Sequence, residues 1–269
     1  MTRDVGKARG ILRHAPEPGE FGHVRIAPSP ALAWLVQHYW IVRWDLRGHP
    51  PQVRETLPHP NVHLTLEPGR SGIHGVHSGR FTCELDGQGG VFGVKFRPGG
   101  FRPFLQRSVS TLRDRSLSLQ DVFGPAADAL EAEVLSQSED GAMVAIAERF
   151  LVARMPPSDP VVAQVGDIVD IIADDRDLIS VDQLVQRWHL DKRRLQRLFN
   201  DYVGASPKWV INRYRLHEAV ERLAAGVTVD WPQLALDLGY FDQAHFIRDF
   251  KALVGRTPGD YARNDPGGG

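Results

Sequence analysis

RLFNDYVGASP occupies residues 197–207, and RDFKALVGRTP occupies residues 248–258. The two stretches share Arg197/Arg248, Phe199/Phe250, Val203/Val254, Gly204/Gly255 and Pro207/Pro258, with Ser206/Thr257 as a conservative match. A segment repeated at an offset of 51 residues marks a duplicated structural unit, and its local chemistry says which one. Upstream of the first copy, Ser180 followed three residues later by Gln183 is a capping box. Leu184, Val185 and Trp188 then give one apolar face, and His189, Leu190 and Asp191 break it. Asp191 can cap a second helix, in which Leu195, Leu198, Phe199 and Tyr202 form the buried stripe. Lys192, Arg193, Gln196 and Arg197 lie opposite. A short helix, a tight turn and a helix with one cationic, amide-bearing face make a helix-turn-helix.

The second copy follows the same plan. Asp230 caps a helix with proline in its first turn, and residues 239–242 make a turn one residue longer. Asp242 caps a helix with Phe246, Phe250 and Leu253 inward and Gln243, Ala244, Ile247 and Arg248 outward. Each copy ends on a glycine suited to the left-handed C′ position. A Ser or Thr cap and a proline opening a further helix follow. Residues 207–224 form a rigid spacer between the units. From 187 to 215 there are eight basic residues against Asp191 and Asp201, whereas 161–186 carry Arg176 against six aspartates. The net charge of −1 therefore conceals a local basic stripe.

Residues 181–263 resemble the DNA-binding domain of the AraC/XylS family of bacterial transcription regulators. The resemblance rests on DKRRLQRLF (191–199), GASP (204–207), RYRL (213–216), LDLGYFDQAHFIRDFK (236–251) and GRTP (255–258). It implies two reading helices in successive major-groove segments of double-stranded DNA, about 34 Å apart on one face. Carried over by position, the base readers are Arg193, Gln196 and Arg197 in the first unit, and Gln243, Ala244, Ile247 and Arg248 in the second. Arginine suits guanine, glutamine suits adenine, and small apolar side chains suit thymine methyls. Lys192, Lys208, Trp209, Arg213 and His245 are assigned to phosphate. His189 departs from the glycine frequent in the first turn, and Asp191 from the usual serine cap.

The other half reads as strands. Val62, Leu64 and Leu66 alternate with His63, Thr65 and Glu67. Residues 80–85 and 91–97 share the period of two, and the turn chemistry of 86–90 joins them as a hairpin. Residues 39–44 are aromatic and β-branched, as in a half-buried strand. Residues 126–135 and 143–151 read as helices. GVKFRPGG (93–100) and LQDVFG (119–124) are similar to the sensory half of a subset of AraC-type regulators. That similarity implies a cupin-like small β-barrel with helices after it.

The expected fold is thus α+β. A sensory domain spans 1–154, with a barrel over about 25–97 and helices over about 100–154. A proline-rich linker at 155–160 leads to an all-α DNA-binding domain over 161–265 and a tail at 266–269. The expected partners are DNA, RNA polymerase, a small-molecule effector and a second copy of the chain. No cofactor and no membrane partner are expected, and no signal-peptide core is present. With Cys83 as the one cysteine, a cytoplasmic setting follows. The rival is a cupin-type metal enzyme or an alkyl-acceptor repair protein. His59, His63, His74 and His77 would supply metal ligands, but residues four apart in extended chain lie about 13 Å from each other. They read as turn and rim histidines. Cys83 shares the Phe81/Leu85 face as a buried, inert thiol and lacks the Pro-Cys-His-Arg context of alkyl acceptors.

Overall fold

The computed structural model describes residues 19–224 and 230–263. The call of a tail at 266–269 lies outside the described residues. The N-terminal part is built on eight strands: β1 (Glu20–Ile26), β2 (Val36–Asp45), β3 (Gln52–Thr56), β4 (His63–Leu66), β5 (Gly72–His74), β6 (Phe81–Leu85), β7 (Gln88–Phe96) and β8 (Ser116–Leu117). Six form an antiparallel sheet in the order β1-β2-β7-β4-β5-β8, and β3 and β6 pair separately. The expected hairpin of 80–85 with 91–97 does not form. β6 pairs with β3, while β7 runs between β2 and β4. The turn is confined to Asp86 and Gly87, and Gly89, Gly90 and Gly93 lie inside β7. Two of these glycines make room for indoles: a Cβ at Gly89 would fall 2.4 Å from the Trp44 ring, and one at Gly93 would fall 2.0 Å from Trp40.

Alternation assigns the faces of the six-stranded sheet. Tyr39, Ile41, Leu64, Leu66, Phe92, Val94 and Phe96 are buried against helices that follow the sheet. These are α1 (Arg102–Leu105), α2 (Gln120–Phe123), α3 (Ala126–Leu135) and α4 (Asp140–Val152). On the opposite face Val42, Trp44 and Val91 pack with Cys83 and Leu85 of the small sheet. Cys83 is half-buried rather than fully buried, and desolvation raises its thiol pKa. That face also holds a buried lysine, Lys95, only 8% exposed. Burial, reinforced by Arg25, pulls its ammonium down to about 7.

The C-terminal part comprises α5 (Pro160–Asp174), α6 (Val181–Trp188), α7 (Lys192–Tyr202), α8 (Pro207–Ala224), α9 (Trp231–Asp237), α10 (Gln243–Val254) and α11 (Pro258–Arg263). Pro160, assigned to the linker by sequence, is instead the first residue of α5, capped by Asp159. Two apolar clusters share α8. One joins α5, α6, α7 and the first half of α8, and the other joins the second half of α8 with α9, α10 and α11. Within α8, Arg215 is 1% exposed and donates to Glu218 at 3.1 Å and to the Ile172 carbonyl of α5 at 2.6 Å. Arg222 reaches the other Glu218 oxygen at 2.5 Å.

The two parts interlock. Val76 enters the first helical cluster and Leu57 the second. Arg102 pairs with Asp201 at 3.1 Å, and Ser108 donates to the Asn200 carbonyl at 3.0 Å. Arg213 donates to the Ser78 carbonyl at 2.7 Å and His217 to that of Pro58 at 3.1 Å. Arg80 donates to the Val254 carbonyl at 3.0 Å.

Two stability measurements follow. Glu218→Ala strands the buried Arg215 charge, and denaturant unfolding is expected to show a loss of about 3 kcal/mol. For Lys95 the folded pKa lies below the unfolded 10.5, so its penalty is complete below pH 7 and fades as pH rises towards 10.5. Lys95→Met is therefore expected to be more stable than the wild type near pH 6. That advantage should shrink steadily in unfolding curves taken up to pH 10.

Candidate nucleic-acid interface

Each helix of the duplicated pairs begins at the cap read from sequence. Ser180 and Gln183 form the reciprocal capping box of α6. Asp191 accepts from the Arg194 N–H, Asp230 from Gln233 and Asp242 from His245. A carboxylate at these positions satisfies an orphan N–H and complements the positive helix end. The glycines after α7 and α10, Gly204 and Gly255, both have φ of 86°. Ser206 then accepts from Trp209 N–H and Thr257 from Asp260 N–H, which opens α8 and α11.

The two turns open on different residues. His189 closes α6 in the left-handed conformation at φ 50°, where Gly239 stands in the second unit at φ 78°. A side chain there costs energy that glycine does not.

These elements set the outer face of α7. Arg193, Gln196 and Arg197 are all exposed. Arg193 and Arg197 have no hydrogen-bond or ion-pair partner among the described residues, whereas Gln196 donates to Asn200 one turn on at 3.1 Å. Leu195 and Phe199 are fully buried beneath them. On α10, Ala244 and Arg248 are exposed, Gln243 is half-buried, and Ile247 is half-buried against the second apolar cluster. The second face therefore offers fewer polar groups than the first.

The expected phosphate contacts divide. Lys208 is exposed. Lys192 is exposed but paired with Asp182 at 2.6 Å, and His245 lies 3.5 Å from Asp249. Trp209 is half-buried, with the guanidinium carbons of Arg213 and Arg113 at 4.6 and 5.7 Å from its ring centroid. Arg213 must be withdrawn. It is 6% exposed, spends a donor on Ser78, and is pulled down to about 10 by burial. Arg215 likewise belongs to the core, so two of the eight bases counted between 187 and 215 do not face solvent. An exposed residue that sequence reasoning passed over is Phe241, 91% accessible in the second turn. Its place in a turn one residue longer than the first was the available signal.

The histidines do not assemble into a ligand set. His74 uses both ring nitrogens, with Thr65 and Ser116 at 2.8 Å each, and His59 packs edge-on against His217 at 4.5 Å. Among the described residues no three His, Cys, Asp or Glu converge as a metal site. No helix of the described residues is long and apolar enough to cross a membrane.

A paired arrangement of capped helices around a shared spacer is matched by the helix-turn-helix domain family model over residues 184–264. Residues 184–264 are a helix-turn-helix domain of the AraC type. Residues 24–118 match a second family described as a domain of unknown function (DUF6597). An uncharacterized HTH-type transcriptional regulator, YtdP of Bacillus subtilis (strain 168), is 32% identical over 83 residues, which is 31% of this chain and 11% of that protein. The chain thus spans about a tenth of that curated relative. A probable AraC family transcriptional regulator from Rhodopseudomonas palustris CGA009 is 24% identical, covering 40% of this chain and 98% of the other at a TM-score of 0.34. An apo ToxT variant from Vibrio cholerae strain SCE256 is 11% identical, covering 88% of this chain and 98% of the other at a TM-score of 0.40. These two likenesses are too loose to transfer any geometry.

In the AraC-type domain the His189 turn gives a direct test. His189→Gly is expected to raise stability by about 0.5–1 kcal/mol, because relief of the left-handed strain outweighs the added chain entropy. Thermal unfolding of the two proteins measures it.

Proposed function

We propose that the protein is a sequence-specific DNA-binding transcription regulator whose β-rich half senses a small-molecule effector. The observation that carries this reading is the exposed, unpartnered Arg193 and Arg197 on α7, held by a capped helix-turn-helix and echoed on α10. Arg193, Gln196 and Arg197 read base edges in one major-groove segment, and Gln243, Ala244, Ile247 and Arg248 read the next. Lys192, Lys208, Trp209 and His245 contact phosphate and set the register. The first unit carries more of the specificity, since Ala244 and the half-buried Ile247 offer no hydrogen bond. RNA polymerase and a second copy of the chain complete the assembly. A raised thiol pKa leaves Cys83 a poor nucleophile, which speaks against an alkyl-acceptor role.

Effector binding shifts the population of states in which the reading units engage DNA. The contacts through which it acts are those of Ser78 and Pro58 on α8 and of Arg80 on the end of α10.

The test is selection of fragmented genomic DNA by the purified protein at physiological salt. The expected product is a motif in two parts about 10 base pairs apart. Arg197→Ala should weaken binding to that motif about 10- to 100-fold and relax one position of it. Lys208→Ala should weaken motif and random DNA alike and lower the salt slope by about one. Retention without a motif, lost steeply with salt, would leave only phosphate binding.

A further inference from the structure

The second turn carries one residue more than the first, and the fold leaves that residue unused. A helix is often steadied by an apolar residue just before its N-cap that packs on the fourth residue of the helix. In the first unit that pair is Leu190 and Leu195, both buried in one apolar cluster on either side of the Asp191 cap. In the second unit the matching positions, counted from the Asp242 cap, are Phe241 and Phe246. Phe246 is fully buried, but Phe241, 91% exposed, does not cover it. Tyr240, one residue earlier, is buried in the cluster with Phe246, and the two ring centroids are 5.5 Å apart. The Tyr240 N–H donates to the Ala235 carbonyl at 2.9 Å, and Gly239 seats the turn on Ile179, where a Cβ would fall 2.8 Å away. The turn is therefore closed without Phe241.

Single apolar residues are common on protein surfaces and need no partner. Phe241 differs from them in degree and in place. The other exposed large apolar side chains among the described residues are 39% to 55% accessible. Phe241 is held out by a turn whose preceding residue is fixed, beside the end of α10 that begins with Gln243 and the exposed Ala244. Residues at the N-terminal end of a reading helix are those that meet base edges. A phenyl ring carries no hydrogen-bond donor or acceptor, so the base-edge group it can select in the major groove is the thymine methyl. Ala244 and the half-buried Ile247 of the same helix are limited to the same choice.

We propose that Phe241 is a specificity-determining residue of the second unit, its ring packing on a thymine methyl in the major-groove segment that α10 enters. This rests on the DNA-binding function proposed above. The longer turn then accounts for how the two units divide the reading. The first unit presents the polar groups of Arg193, Gln196 and Arg197, while the second extends its apolar surface by one ring beyond the end of α10. That ring sets one thymine in the second half of the motif, where the methyl of Ala244 alone would discriminate little.

The experiment repeats the genomic selection with Phe241→Ser and Phe241→Leu in the full chain. Arg197→Ala marks the half of the motif that belongs to the first unit. In the other half Phe241→Ser should lose one thymine preference and keep the remaining positions, and Phe241→Leu should retain all of them. Binding of Phe241→Ser to the motif should weaken about fourfold, the scale of one buried methyl group. Uracil in place of that thymine deletes only the methyl. It should weaken the wild type by the same factor and leave Phe241→Ser unaffected, so that the two changes together cost no more than either alone. The melting temperature of Phe241→Ser should equal that of the wild type, because the ring supports nothing in the fold. An unchanged motif, equal weakening on motif and random DNA, uracil tolerated by the wild type, or additive losses from the two changes would each overturn the contact. So would an intact motif with transcription activation lost, which would put a protein against the ring. Selection by the wild type separates the two proposals. A two-part motif that Phe241→Ser reads equally well removes only this contact, whereas a wild type that selects no motif removes the regulator along with it.

Discussion

Helix α8 is the member that both helix-turn-helix units pack on, and its buried Arg215, bonded to the Ile172 carbonyl of α5, ties it in place. Eighteen residues at about 1.5 Å each give a rod of roughly 27 Å. Each apolar cluster of the helical domain takes one half of it. Arg215 and Glu218 sit near the join, and Arg215 also ties α8 to the α5 carbonyl at Ile172. An apolar pair of similar volume could serve stability as well. The bond from Arg215 to the Ile172 carbonyl adds direction, because it forms in only one rotation of α8 against α5. Rotation of α8 decides where α7 and α10 point, so orientation of both faces traces back to this one buried contact.

The same helix shows why a basic motif is not an interface until depth is known. Arg213 and Arg215 lie two apart in RYRL and read alike in sequence. In the fold one donates to Ser78 of the β-rich half and the other to Ile172 of α5. Both are spent inside the protein. Arg193 and Arg197, the residues proposed to read DNA, stand over Leu195 and Phe199, and that arrangement was legible because helical period and burial are the same fact.

Local rules were readable and nonlocal ones were not. The four N-caps, the glycines at φ 86° and the prolines opening α8 and α11 fell where the sequence put them, since a cap is decided within four residues. The hairpin of β6 with β7 failed because a period of two reports that a segment is extended, not what it pairs with. β6 takes β3, whose residues lie about thirty positions earlier, and β7 takes two partners. Gly89 and Gly93 looked like turn or weak-strand residues. Their use, as floor for Trp44 and Trp40, depends on strand neighbours that only the register supplies. Lys95 escaped for the same reason: alternation alone says it faces away from Phe96, not that it is buried there.

The junction of β7 with the helical domain gives the sensing reading its physical content. Just past the end of β7, Arg97 reaches Asp170 of α5 at 2.6 Å, and Gly99, at φ 85°, brings the backbone against Val165 of the same helix. The exposed ion pair is worth little by itself. The Gly99 contact matters more, because a Cβ there would stand 3.3 Å from Val165 in a backbone conformation side chains avoid. The end of β7 therefore leads to the helix that Arg215 uses to orient α8. A ligand that alters β7 by fractions of an ångström acts on a packed joint, and packed joints move between discrete arrangements rather than bend. Coupling would then require an effector with different affinity for two arrangements of α5 against β7.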